Sequence, residues 1–217
     1  MIGALFPAGV AAAEVIGDDP NASLLPEEEA ALGQVIAQRR RQFTLGRACA
    51  RRALAELGLP PTPVLRGPKR EPSWPAGVVG SITHCRGYAA AAVASQANLS
   101  ALGVDAEEDG PLPRGVLRLV ATEEERAWLA EVAVAGLPWD RILFSAKESV
   151  FKAWYPLAGR WLGFQDAVVT FDSGTGTFRA CLLVAGPRLD GRVVDSFDGR
   201  YLVAGGFVLT AVTVPAG

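Results

Sequence analysis

The 217-residue chain holds one histidine and three cysteines, and no cysteines stand in a C-x-x-C pair. An odd, scattered set (Cys49, Cys85 and Cys181) supplies neither a disulfide framework nor a cysteine-rich zinc site, and suits a reducing compartment, the cytoplasm. No glycine-rich phosphate loop, dinucleotide fingerprint or helix-borne zinc motif occurs. The longest uncharged stretch, Tyr201 to Gly217, is shorter than the ~20 residues a membrane helix needs and is broken by Gly205-Gly206. It reads as a hairpin of two strands, and no membrane association is expected. The apolar opening Met1-Ile-Gly-Ala-Leu-Phe-Pro has no positive residue before Glu14, which argues against a secretory signal.

Half the residues are hydrophobic and a fifth are charged, a composition that excludes disorder, collagen and coiled coil. The net charge of −2 hides an asymmetry. Residues 1–38 carry six acidic and no basic side chains, 39–70 carry nine basic and one acidic, and 104–131 carry eight carboxylates against three arginines. A basic region followed by an acidic one could pair a polyanion with a metal.

Pro26 followed by Glu27-Glu28-Glu29 marks a helix start. The helical pattern runs to Leu57, with a break expected near Gly46, and Gly58 with Pro60-Pro61 ends it. Six prolines in 60–77 predict an extended loop. Short strands are expected at Val78–Thr83, Tyr88–Ala94 and Leu99–Glu107. Thr122 with Glu125 has capping-box spacing, and Asp140–Leu157 has an apolar stripe at Ile142, Ala146, Val150, Ala153 and Leu157. Further strands are expected near 166–172, 177–185, 189–196 and 201–214. Gly87-Tyr88-Ala-Ala-Ala-Ala-Val and Gly199-Arg200-Tyr201-Leu-Val-Ala form a weak echo that suggests two similar halves. The expected class is α+β with mainly antiparallel sheets, divided as residues 1–98 and 99–217.

In the alternating segment Leu102–Glu107, Gly103, Asp105 and Glu107 share a face. Two carboxylates so placed suit Mg²⁺ or Mn²⁺, or form an exposed acidic turn. On the second helix Lys147, Glu148 and Lys152 interrupt the apolar pattern. The i,i+4 pair Glu148/Lys152 fits either a surface salt bridge or a metal ligand beside a phosphate-binding cation. His84 ends a strand beside Cys85, and strand alternation turns these neighbours to opposite faces, a poor geometry for a cysteine–histidine dyad. The arginine-rich helix, on which Arg40, Arg47 and Arg51 share a side, could grip phosphates or be a solvated face. Phe43 is the one aromatic residue within it, which disfavours nucleic acid.

Taken in order, three stretches resemble the 4′-phosphopantetheinyl transferases of the Sfp type, especially the branch containing the D component of enterobactin synthetase. They are Arg70-Glu-Pro-Ser-Trp-Pro-Ala-Gly-Val-Val-Gly-Ser-Ile-Thr-His84-Cys, Leu102-Gly-Val-Asp105-Ala-Glu107 and Phe144-Ser-Ala-Lys147-Glu148-Ser-Val-Phe-Lys152-Ala-Trp. The resemblance spans roughly Arg39 to Phe171 and implies two α+β halves with the site in the cleft between them. It implies that Asp105, Glu107 and Glu148 hold Mg²⁺ or Mn²⁺ against the diphosphate of coenzyme A. Ser81 and His84 would contact its phosphates and Lys152 the diphosphate, while Arg39, Arg47 and Arg66 would surround the 3′-phosphate and diphosphate. Arg70 matches the siderophore branch, where much of the wider family has glycine. The implied reaction transfers phosphopantetheine from coenzyme A to a serine of an apo acyl or peptidyl carrier protein, in siderophore, polyketide or nonribosomal peptide synthesis, and releases 3′,5′-ADP. Glu148 would take the serine proton and Lys152 would stabilise the leaving phosphate. The enzyme would act as a monomer. A non-catalytic coenzyme A-binding module and a Mg²⁺-dependent phosphohydrolase are the competing readings.

Overall fold

The computed structural model describes residues 1–132 and 136–217. A 3-10 turn at Ile2–Leu5 leads into β1 (Val10–Ile16), α1 (Pro26–Leu32) and α2 (Ala37–Glu56). Then come the small hairpin β2 (Leu65–Arg66) and β3 (Pro72–Ser73), and the strands β4 (Val78–Cys85), β5 (Tyr88–Ser95) and β6 (Leu99–Glu108). The remainder is α3 (Val116–Val120), α4 (Glu123–Val132), α5 (Trp139–Ala158), β7 (Ala167–Asp172), β8 (Thr177–Leu182), β9 (Arg188–Leu189), β10 (Arg192–Val193), β11 (Ser196–Ala204) and β12 (Phe207–Pro215). The α+β class expected from sequence is the one observed, and every strand pair is antiparallel.

Where the first helix breaks differs from expectation. The interruption falls at Gly33, whose φ of 67° the left-handed region allows cheaply only to glycine, and α2 then runs unbroken through Gly46. Gly46 serves packing instead: a Cβ there would lie 2.9 Å from Ile82 Cγ2 on β4. The Thr122 capping box is present, with Thr122 N–H donating to Glu125 (2.7 Å) and Glu125 N–H to Thr122 Oγ1 (3.2 Å).

The sheets are ordered β1-β5-β4 and β6-β12-β11-β8-β7. The alanines of β5 follow from burial on both faces. Ala89, Ala91 and Val93 meet Cys49, Ala50 and Ala53 of α2, whereas Tyr88, Ala90 and Ala92 meet Leu102, Val104 and Leu209 of the second sheet. The other face of the second sheet packs on α5 through Ile142, Ala146, Val150 and Trp154. The order is therefore helix, sheet, sheet, helix. The 3-10 turn belongs to this core through Ile2 and Leu5, so the apolar opening segment is folded structure.

β4 and β6 are edge strands that meet without a backbone ladder. Val104 N–H donates to Ser81 Oγ (3.1 Å) and Ala106 N–H to Thr83 Oγ1 (3.0 Å), so hydroxyls satisfy the edge. Each half opens on a strand, passes through helices, and ends on a hairpin with one strand lying beside the first; the second half has a third helix and a larger sheet. On that match β5 corresponds to β12. The Tyr88/Tyr201 echo, which equates β5 with β11, is out of register with the structural repeat.

Candidate active site

Gly103, Asp105 and Glu107 face α5, as the alternation requires. A Cβ on Gly103 would sit 1.9 Å from the Ser149 carbonyl oxygen, so glycine permits the strand to touch the helix. Along α5, Arg141, Ser145, Glu148 and Lys152 recur at i, i+4, i+7 and i+11, a polar stripe along one face of the helix. Ser145 Oγ donates to Asp105 Oδ2 (2.8 Å), and Lys152 Nζ donates to Asp105 Oδ1 (2.7 Å) and to the Val104 carbonyl (2.9 Å). Arg141 Nη1 donates to Glu107 Oε2 (2.8 Å). Burial, then repulsion from Asp105, raises the proton affinity of both Glu107 and Glu148.

The arginines divide into two groups. Arg40 pairs with Glu29, Arg41 with Asp18, Arg51 with Glu28 and Arg52 with Asp19, so the acidic run of 1–38 neutralises four of them. Arg39, Arg47, Arg66 and Arg70 form no ion pair among the described residues. Arg47 and Arg66 lie over the Phe43 ring at 4.2 and 4.4 Å. Arg39 Nη1 lies 3.0 Å from His84 Nε2.

Burial, and then the charges of Arg66, Arg39 and Arg51, pull the Arg47 pKa down to about 10 against the pull of Glu28. Burial, then Arg39 and Lys152, takes His84 to about 4. Arg47 Nε, Arg66 Nη2 and His84 Nδ1 are buried without a hydrogen-bond partner. Buried donors beside crowded cations are groups to which an anion supplies both a counter-charge and the missing bonds. Arg70 sits in the turn of the β2–β3 hairpin at φ 72°, on the exposed rim.

Ser81 does not join this group. It is three residues from His84 on one strand and so points to the opposite face, where it is 2% exposed and bonded to Val104. The structure brings His84, Lys152 and Asp105 into one electrostatic neighbourhood, linking the basic pocket to the carboxylates. The sequence reading missed Ser145, Thr83 and Arg141; the period of α5 marks Ser145 and Arg141, whereas Thr83 has no local signal. It also missed a slot of about 90 Å³ beside Glu148, walled by Phe151, Trp161, Leu162 and Phe164.

Among the described residues no three His, Cys, Asp or Glu side chains enclose a position for a metal ion. Asp105 is held by Lys152 and Ser145, and Glu107 by Arg141. The donor set nevertheless fits a hard divalent cation in its chemistry: carboxylates only, partly buried, with Asp105 repelling both of the others.

Residues 27–94 match the family model described as 4′-phosphopantetheinyl transferase N-terminal domain, and residues 101–204 match the 4′-phosphopantetheinyl transferase superfamily. The chain is 50% identical to the 4′-phosphopantetheinyl transferase Svp of Streptomyces mobaraensis, across 100% of this chain and 90% of that protein. It is 48% identical to the 4′-phosphopantetheinyl transferase Npt of Nocardia iowensis, across 98% of this chain and 99% of the other. Enterobactin synthase component D of Escherichia coli is 37% identical over 54% of this chain and 55% of its own length.

Proposed function

Because the chain belongs to the 4′-phosphopantetheinyl transferase superfamily, whose members transfer phosphopantetheine to carrier proteins, we propose a division of that reaction among its own residues. The observation that carries the proposal is the cluster of cations that form no ion pair among the described residues, with orphaned buried donors, beside the carboxylates. Arg39, Arg47, Arg66 and His84 bind the 3′-phosphate and diphosphate of coenzyme A, with Arg70 on the rim. The apolar slot beside Glu148 takes the pantetheine chain, which is thin and uncharged.

Asp105, Glu107 and Glu148 would hold Mg²⁺, or Mn²⁺, which when bound neutralises charge on the diphosphate. Glu148 takes the proton of the carrier serine. Burial raises its proton affinity, which makes it a stronger base than an exposed carboxylate. The serine oxygen forms a bond to the pantetheine-side phosphorus, the bond joining the two phosphates breaks, and 3′,5′-ADP leaves. Lys152, bound to Asp105 in the free protein, meets the charge that develops on the departing phosphate. Ser145 orients Asp105, and Arg141 orients Glu107.

The acceptor is an apo acyl or peptidyl carrier protein of siderophore, polyketide or nonribosomal peptide synthesis. A site built from one chain supports a monomer as the working form. The three thiols are free, which suits the cytoplasm. Incubation with coenzyme A, Mg²⁺ and an apo carrier should add ~340 Da to the carrier by intact mass, as serine phosphoryl transfer requires. An unmodified carrier, with either phosphate release or tight binding alone, would replace the transferase reading by a hydrolase or a binding module.

A further inference from the structure

Two carboxylates outside the site are as buried as the core: Glu28 at 0% and Glu125 at 2% exposure. Glu28 Oε2 accepts the Leu25 N–H (3.0 Å), closing the cap of α1, and Oε1 accepts the Val64 N–H (3.0 Å). Its counter-ion is Arg51 on α2. Glu125 Oε2 accepts the Thr122 N–H (2.7 Å), closing the cap of α4, and Oε1 accepts the Val169 N–H (2.8 Å). Its counter-ion is Lys147 on α5 (2.7 Å). The two constructions share one plan, an N3 glutamate accepting its cap's N–H, a valine N–H after the long helix and a cation from that helix, although only Thr122 returns a side-chain bond.

Stability alone accounts poorly for such pairs. Desolvating a carboxylate and a cation costs more than packing apolar side chains of similar volume, so a buried pair adds little net stability. What it supplies is fixed geometry, and each pair fixes one half of the cleft. Val64 leads into Leu65, whose carbonyl accepts Arg47 Nη2 (3.4 Å), and into Arg66; Glu28 thereby sets the hairpin of the anion pocket against α2. Lys147, next to Glu148, also donates to the carbonyls of Val120 (3.0 Å), Phe164 (2.7 Å) and Ala167 (3.0 Å), and Phe164 and Ala167 line the slot.

We infer that Glu28 and Glu125 are equivalent positioning residues that divide the reaction, Glu28 with Arg51 setting the grip on the polyanion and Glu125 with Lys147 setting the slot and the base. The inference rests on the transferase reading above. Its test pairs steady-state kinetics on the full chain with calorimetric titration of 3′,5′-ADP, a probe that occupies the phosphate pocket without the slot. Glu28→Gln should raise the Kd for 3′,5′-ADP and the KM for coenzyme A about tenfold, with kcat within about twofold. Glu125→Gln should lower kcat about tenfold and leave the Kd for 3′,5′-ADP unchanged.

A purely structural role would lower the Tm of both variants and shift both constants alike, and that result overturns the inference. If either variant fails to fold, Glu28→Gln with Arg51→Met, and Glu125→Gln with Lys147→Met, remove each charge pair together and should give the same split. A wild-type protein that binds 3′,5′-ADP but never modifies a carrier overturns the transferase reading instead.

Discussion

Replacing Glu148 by glutamine should separate activity from stability. Burial and Asp105 raise the proton affinity of this carboxylate, and the charge of Lys152 only partly opposes them; no hydrogen bond holds it among the described residues. Folding with Glu148 ionised therefore has a cost that a neutral isostere avoids. A shift of one pKa unit corresponds to about 1.4 kcal/mol. Relief of that cost raises the Tm, by about 2–4 °C for each 1 kcal/mol in a domain this size. Because the folded pKa lies above the ordinary 4.5, the contribution of Glu148 to stability is complete below that value and is lost as pH rises through the folded pKa. The variant should therefore melt higher than wild type at pH 7.5 in EDTA, with the difference closing towards pH 4. At the same time turnover should fall roughly 10²–10⁴-fold, the usual worth of a positioned general base. Differential scanning calorimetry and a carrier-modification assay read the two effects. Turnover within threefold of wild type, or a Tm lowered at pH 7.5, would refute the reasoning.

Two further outcomes follow from the same geometry. His84, held at about 4 against an ordinary 6.5, contributes stability above 6.5 that is lost as pH falls towards 4; His84→Gln should flatten that part of the Tm-versus-pH curve, and parallel curves would contradict it. Gly103→Ala would force a methyl group to 1.9 Å from the Ser149 carbonyl oxygen, so urea unfolding should show a loss of ~3 kcal/mol or more together with lost activity; a native-like midpoint would mean that β6 and α5 do not meet as described.

Local patterns made much of this protein legible. The period of two along β6 put Asp105 and Glu107 on one face before any packing was known, and the S/T-x-x-E spacing located the start of α4. Motif order gave the family. Two expectations meet a different geometry in the structure. Gly46 looked like a helix breaker, but its function is contact with Ile82, a residue 36 positions away in sequence. The resemblance implied Ser81 as a phosphate contact, whereas its odd spacing from His84 on the strand turns it to the joint between the sheets, where Val104 N–H donates to it.

The sequence by itself determined the composition of each half of the site: an excess of guanidinium groups in 39–70, and carboxylates and a lysine on a strand and a helix of fixed period. Those follow from residue identity and local geometry, which act over a few positions. Which arginines are available to a ligand was decided only by tertiary structure. The acidic run of 1–38 folds against α2 and pairs with Arg40, Arg41, Arg51 and Arg52, leaving Arg39, Arg47 and Arg66 without an ion pair among the described residues. Tertiary structure likewise matched Glu28 with Glu125 across the two halves, because a buried charge takes its partners from whichever segments the chain's long-range packing brings to it.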